Sequence, residues 1–244
     1  MTTADLERRK TGITAILFDK DGTLLDFDAA WGPVYRQAAN IAARGVPADT
    51  ERYLLASGLD PATGRPAAGS LLAAGNTEEI AEAWIAGGAD FELDDLTAKL
   101  DRLFIDRMHD SDPLPGIREA IDALRVRDYT LGVASSDSEA AIRAFLAGTG
   151  LASRFSFVTG YDTGHGPKPE PGMVHGFAEA ISLPVSSIAV IGDNMHDIDM
   201  AHAAGAGLTI GVLTGTSLRK DLEPHADAVL ESAADLPGFL TGDA

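Results

Sequence analysis

The sequence predicts an α/β fold, a Rossmann-like parallel sheet core with an inserted all-helical domain, and three observations carry that prediction. A short apolar run at 14–18 (TAILF) stops abruptly at the polar string Asp19-Lys20-Asp21-Gly22. From 113 onward, apolar runs of strand length alternate with amphipathic segments of helix length. Between these two regions, 27–109 has helical periodicity and no strand pattern. Strands alternating with helices imply βαβ units, and such units build a parallel sheet covered on both faces.

Taken in order, 14–18 is bounded by polar residues and reads as a buried strand. Asp21-Gly22 is a turn signal directly behind it. Segments 29–44, 77–86 and 94–108 read as amphipathic helices, the last with Leu96, Leu100, Leu103 and Phe104 at helical spacing. Segment 60–69 (DPATGRPAAG) holds two prolines and two glycines and reads as a loop. Beyond Pro113 and Pro115 the expected pairs are helix 116–127 with strand 130–134, helix 137–147 with strand 155–158, helix 171–181 with strand 187–191, and helix 195–204 with strand 208–212. A short run at 228–230 precedes a terminal helical turn. The expected division is a core of 1–26 and 110–244 and a helical domain of 27–109.

The bulk numbers narrow the function. The chain has 244 residues, 45% of them hydrophobic and 23% charged, which suits a globular protein with a real core. No apolar run is long enough to span a membrane, and the polar stretch at 1–10 lacks the apolar centre of a secretory signal, so a cytoplasmic location is expected. There is no cysteine, which excludes disulfides, thiolate metal sites and cysteine nucleophiles. The formal net charge of −18 disfavours nucleic acid and anionic lipid as partners. It would also repel a phosphate ester, so a phosphate site must carry its own positive charge, from a metal ion or from one of the five lysines.

In open α/β sheets the ligand lies beyond the carboxyl ends of the strands, and four successive strand ends carry chemistry. The first offers Asp19 and Asp21, with Gly22 allowing the sharp turn that aims both at one pocket. A carboxylate can act as nucleophile toward phosphorus, and a second one nearby can protonate the leaving oxygen and then activate water. A lone Asp-x-Asp-Gly would serve equally as a solvated turn. The second strand end offers Ser135 and Ser136 as donors to phosphate, although Ser136 and Asp137 also suit the cap of the following helix. In the third, prolines flank and stiffen Lys168, and an ammonium fixed there would neutralise a transferring phosphoryl group. The fourth, Gly192-Asp193-Asn194-Met195-His196-Asp197, presents two carboxylates suited to a hard cation. Magnesium held by Asp19 and Asp193 is the expected cofactor, with Asp197 binding a metal-bound water or orienting Lys168. Asp199, His196 and His202 read as a solvated helix face.

This order of motifs resembles the haloacid dehalogenase superfamily over the whole core. Asp19-Lys20-Asp21-Gly22-Thr23 is similar to the family's first motif, Ser135 to its second, Lys168 to its third, and Gly192-Asp193 with Asp197 to its fourth. The resemblance implies a nucleophile at Asp19, an acid/base at Asp21, and magnesium ligands from the Asp19 carboxylate, the Asp21 backbone carbonyl and Asp193. Thr23 and Ser136 are the expected substrate-binding hydroxyls. The insert falls where the family places a C1-type cap. True dehalogenases lack the aspartate at position 21, the ion-pumping relatives carry threonine there, and the phosphonate-cleaving relatives need a cap lysine, a role that Lys99 is too far along the insert to be given. Among the remaining branches the chain most resembles phosphoglycolate phosphatases. The expected activity is hydrolysis of a small phosphorylated metabolite through an aspartyl phosphate by a monomer or homodimer, with Arg65 meeting the substrate's distal anionic group. A phosphomutase on the same core is the alternative, since the core motifs do not separate the two. A non-catalytic binding module would be expected to lack one of Asp19, Asp21, Lys168 or Asp193.

Overall fold

The computed structural model describes residues 2–242. The chain begins with α1 (Thr3–Thr11), enters the sheet at β1 (Ala15–Phe18), and leaves it for five helices: α2 (Phe27–Ala42), α3 (Pro47–Ala56), α4 (Leu71–Ala74), α5 (Thr77–Ala86) and α6 (Leu93–His109). It then returns through α7 (Ile117–Val126), β2 (Thr130–Ala134), α8 (Glu139–Gly148), β3 (Phe157–Thr159), α9 (Gly172–Ile181), β4 (Ile188–Gly192), α10 (Met195–Ala204) and β5 (Leu208–Val212). The last elements are α11 (Arg219–Leu222), β6 (Ala228–Leu230) and α12 (Leu236–Thr241). Among the described residues, no helix is long and apolar enough to cross a membrane.

All strand pairs are parallel, in the order β3-β2-β1-β4-β5-β6. Every residue of β1, β4 and β5 is buried, as a sheet covered on both faces requires. Side chains alternate across the sheet. Ile16 and Phe18 join one apolar cluster with α7 and α8, while Ala15 and Leu17 join a second with α9 and α10. The first cluster runs on without a break into the inserted helices through Leu96, Leu100, Phe104 and Met108. There α6 crosses α8 so closely that a Cβ on Gly148 would overlap the carbonyl of His109.

The two chain crossings between the sheet and the helical segment are paired. Leu25 bridges Pro113, and the Leu114 amide donates to the Leu24 carbonyl at 2.9 Å. Sheet order reverses at β1, where the connection goes to β2 on one side and β4 lies on the other. This is the switch point at which such sheets open a crevice.

The structure adds elements that the local pattern did not announce. Segment 3–11 is a helix, tied to the far edge of the sheet by Arg9, which donates to the Gly207 carbonyl at 2.7 Å and pairs with Asp227 at 2.5 Å. Segment 47–56 is also helical, with Pro47 in its first turn, where the missing N–H costs nothing.

Candidate active site

The crevice beyond β1 and β4 opens into a cleft of about 540 Å³, part of it continuous with solvent. Asp19, Asp21, Ser135, Ser136, Lys168, Asp193 and Asp197 all line it. They lie far apart in sequence, and the carboxyl ends of β1, β2 and β4, with the loop after β3, bring them together.

Asp19 is the first residue past β1, and its amide still donates to the Ile191 carbonyl of β4 at 2.8 Å. Gly22 then turns the chain with φ +74°, a left-handed conformation that favours glycine. A Cβ there would also lie 2.7 Å from Gly215 Cα and 2.8 Å from Asp193 Cγ. Gly215 is equally constrained, since a Cβ on it would overlap the Asp193 carboxylate.

Lys168 Nζ donates to Asp19 Oδ1 and to Asp197 Oδ1, both at 2.6 Å, and all three side chains are buried. Asp197 uses its other oxygen to accept the Asn194 amide at 3.1 Å, closing a capping box at the start of α10. Asp193 accepts the Thr216 amide at 2.7 Å. Ligand atoms of Asp19, Asp193 and Asp197 lie within 4.8 Å of one another. Three buried carboxylates thus share one ammonium. Burial, opposed by Lys168 and reinforced by the neighbouring aspartates, raises Asp19 to about 7 and pushes Asp193 well above the usual carboxylate range. Burial lowers the Lys168 ammonium's pKa, but Asp19 and Asp197 outweigh it and hold the group firmly protonated. The deficit of positive charge, the all-oxygen donor set and the close glycine cradle fit a hard divalent cation.

Asp21 is fixed from three sides. Its Oδ1 accepts Lys20 Nζ and the Trp31 indole N–H, both at 2.6 Å, and its Oδ2 accepts the Ser135 hydroxyl at 3.2 Å. Ser135 in turn accepts the Asp137 amide at 3.1 Å. Behind them, Lys20 is wholly buried and stands 3.1 Å from Asp137. Burial, opposed chiefly by Lys20, raises Asp137 to about 6.

Two expected substrate contacts fall elsewhere. Thr23 does not line the cleft; it is fully buried and its hydroxyl has no partner. Arg65 lies on the exposed loop between α3 and α4 and pairs with Asp28. A surface carboxylate within reach gives that guanidinium its partner outside the cleft. Conversely, His196 lines the cleft instead of a solvated face, with its Nδ1 buried and unpartnered. Asp137 does not cap α8; Ser138 does, accepting the Ala141 amide. Lys20 was readable only as part of a motif and Asp137 only as a helix cap, and Trp31 and Thr216 gave no signal, because the partner of each is fixed only by the fold.

Comparison with known proteins gives a family match and similar folds. The model of haloacid dehalogenase-like hydrolases matches residues 13–205. A phosphoglycolate phosphatase of Photorhabdus laumondii is 28% identical over 92% of this chain and 91% of its own length. A hydrolase from Pseudomonas syringae superposes with a TM-score of 0.71 at 22% identity, covering 94% of this chain and 98% of its own. CbbY from Rhodobacter sphaeroides, solved in complex with phosphate, gives 0.67 at 20% identity, covering 92% and 96% respectively. At these identities the two structures speak for the fold alone.

Proposed function

Given that the chain belongs to the haloacid dehalogenase-like hydrolases and is a phosphatase among them, we propose that it hydrolyses a small phosphate monoester through an aspartyl phosphate on Asp19. The observation that carries this reading is the Lys168 ammonium bonded to Asp19 and Asp197 at 2.6 Å, facing Asp21 and Asp193 across one cleft.

In the first step a carboxylate oxygen of Asp19 attacks phosphorus, the ester P–O bond breaks, and Asp21 delivers a proton to the departing alcohol oxygen. In the second, Asp21 takes a proton from water as that water attacks the same phosphorus, the acyl phosphate bond opens, and phosphate leaves with Asp19 restored. Lys168 holds the Asp19 oxygen in line and offsets charge on the transferring group. Asp197 positions Lys168 and ties it to the start of α10. Lys20 and Trp31 hold Asp21 through one oxygen, leaving the other to Ser135 and the reacting atoms. Asp19 and Asp193, with the Asp21 carbonyl, would hold a divalent cation, magnesium in this proposal, and when bound it supplies the positive charge that Lys168 alone does not. Segment 27–109 acts as a cap over the cleft, hinged where Leu24 and Leu25 meet Pro113 and Leu114.

The reading is tested by phosphate release from a panel of esters with and without magnesium. Release should require the metal and should fall by at least about 10³-fold in Asp19→Asn. Metal-independent release, or release surviving in that variant, would contradict it.

A further inference from the structure

One side of the cleft is largely apolar. Its wall is built by Phe27, Trp31, Tyr35, Leu72, Ile80 and Phe104, contributed by α2, α4, α5 and α6. The Trp31 ring stacks on Tyr35 at 5.0 Å and meets the edge of Phe104 at 4.9 Å. The polar atoms of this wall are already engaged. The Trp31 N–H donates to Asp21, and the Tyr35 hydroxyl donates to the Leu72 carbonyl at 2.6 Å.

A cation stands against this wall, Lys20 at 5.3 Å from the Trp31 ring, but it is wholly buried, bonded to Asp21 and Asp137, and does not line the cleft. Among the described residues, Lys168 is the only lysine or arginine lining the cleft, and it is bonded to two aspartates. The helical segment's own lysine and arginines do not line the cleft: Arg36, Arg44, Arg52 and Arg65 pair with carboxylates at the surface, Arg107 donates to the carbonyls of Ala29 and Ala30, and Lys99 and Arg102 lie outside the lining. The amino end of α5, which reaches the cleft at Thr77, is closed by a capping box between Asn76 and Glu79 and carries Glu78 beside it. His196 stands among the carboxylates in the first turn of α10. A second anion on the substrate would therefore be desolvated against aromatic rings with no counter-charge, which is costly.

On the reading of this site as a phosphatase, we propose that its substrate is the phosphate monoester of an uncharged, largely apolar alcohol, not a phosphorylated carboxylic acid such as phosphoglycolate. The alcohol carbon skeleton packs on the Trp31, Tyr35 and Phe104 rings while the phosphoryl group meets Asp19 and Lys168. The Trp31 indole is bonded to Asp21 at 2.6 Å, so the proton passes to the leaving oxygen at the boundary between the apolar and charged sides of the cleft.

The experiment compares kcat/KM for matched esters: ethyl phosphate against phosphoglycolate, and benzyl phosphate against its para-carboxy derivative, with Asp19→Asn as the blank. The neutral ester of each pair should be favoured by at least about tenfold, with benzyl phosphate the best of the four, since apolar pockets discriminate by about 10–200-fold per buried methylene. Ala74→Lys, at a half-buried position of the cleft lining, supplies the missing cation without removing a core side chain. It should move each ratio toward the carboxylate ester, and an unchanged ratio counts against the proposal. Equal or greater activity on the carboxylate esters in the unmodified enzyme, whether or not His196→Gln abolishes it, overturns the proposal and leaves the phosphatase intact. Absence of Asp19-dependent release from every ester overturns both.

Discussion

Lys20 keeps its charge at a position with no solvent exposure, 2.6 Å from Asp21 and 3.1 Å from Asp137. Burial alone would lower its pKa, but the two carboxylates outweigh it and raise the value. Met108 sulfur, 3.1 Å away, completes the enclosure. Removing one partner of a buried ion pair leaves the others uncompensated, so Lys20→Met should destabilise the protein by about 3–5 kcal/mol in urea unfolding. Adding Asp137→Asn to that variant should recover part of the loss. A Lys20→Met protein as stable as the parent would show that the network contributes nothing. At this scale the sequence was legible for the residues that line the cleft and opaque for those packed behind them. Asp19, Asp21 and Asp193 stand at or just past strand ends and Lys168 in the loop after β3, and the topology brings all four to one cleft. Lys20 has the same local surroundings as a solvated turn residue, and only the fold places Asp137 beside it.

The turn after β1 is the element on which the site's geometry depends most. Gly22 combines a φ of +74° with a close approach to Gly215 and Asp193, so Gly22→Ala meets both backbone strain and collision. The left-handed conformation alone costs about 1–2 kcal/mol for a residue with a Cβ. The collision pushes on a carboxylate of the site, so activity should fall more than that stability loss implies, by roughly 10²-fold or more. Circular dichroism melts and phosphate release on the same preparation check this; a variant with normal activity would show that the approach is slack. The strands were readable because runs such as 130–134 and 208–212 are short, mostly apolar and set between helix-length segments. Helix α1 was not, because what holds it is the pairing of Arg9 with Asp227, 218 positions away. The helical character of 27–109 was legible from periodicity. Its continuity with the core cluster through Phe104 and Met108 was not, because local spacing shows which face is apolar but not what that face packs against.

Across the whole molecule, a net charge of −18 surrounds a site that is itself short of positive charge. Burial raises Asp19 from 3.8 to about 7, so in the metal-free protein its contribution to stability is complete below its unfolded value and is lost as the pH climbs through 7. Asp137, raised to about 6, acts in the same direction over a lower range. A cation must displace protons from such carboxylates to bind. The rise in melting temperature on adding magnesium should therefore be small near about pH 5 and grow toward about pH 8. An equal or larger rise at the acidic end would place the cation elsewhere. The central claim, that phosphate passes through Asp19, is tested most directly in the Asp21→Asn variant, where the second step should stall. Acid quenching during turnover of an active ester, followed by peptide mass spectrometry, should find one phosphoryl group on the peptide carrying Asp19 and none when Asp19→Asn is added. A phosphoryl group on another residue, or rapid turnover of Asp21→Asn with no covalent species, would contradict the account.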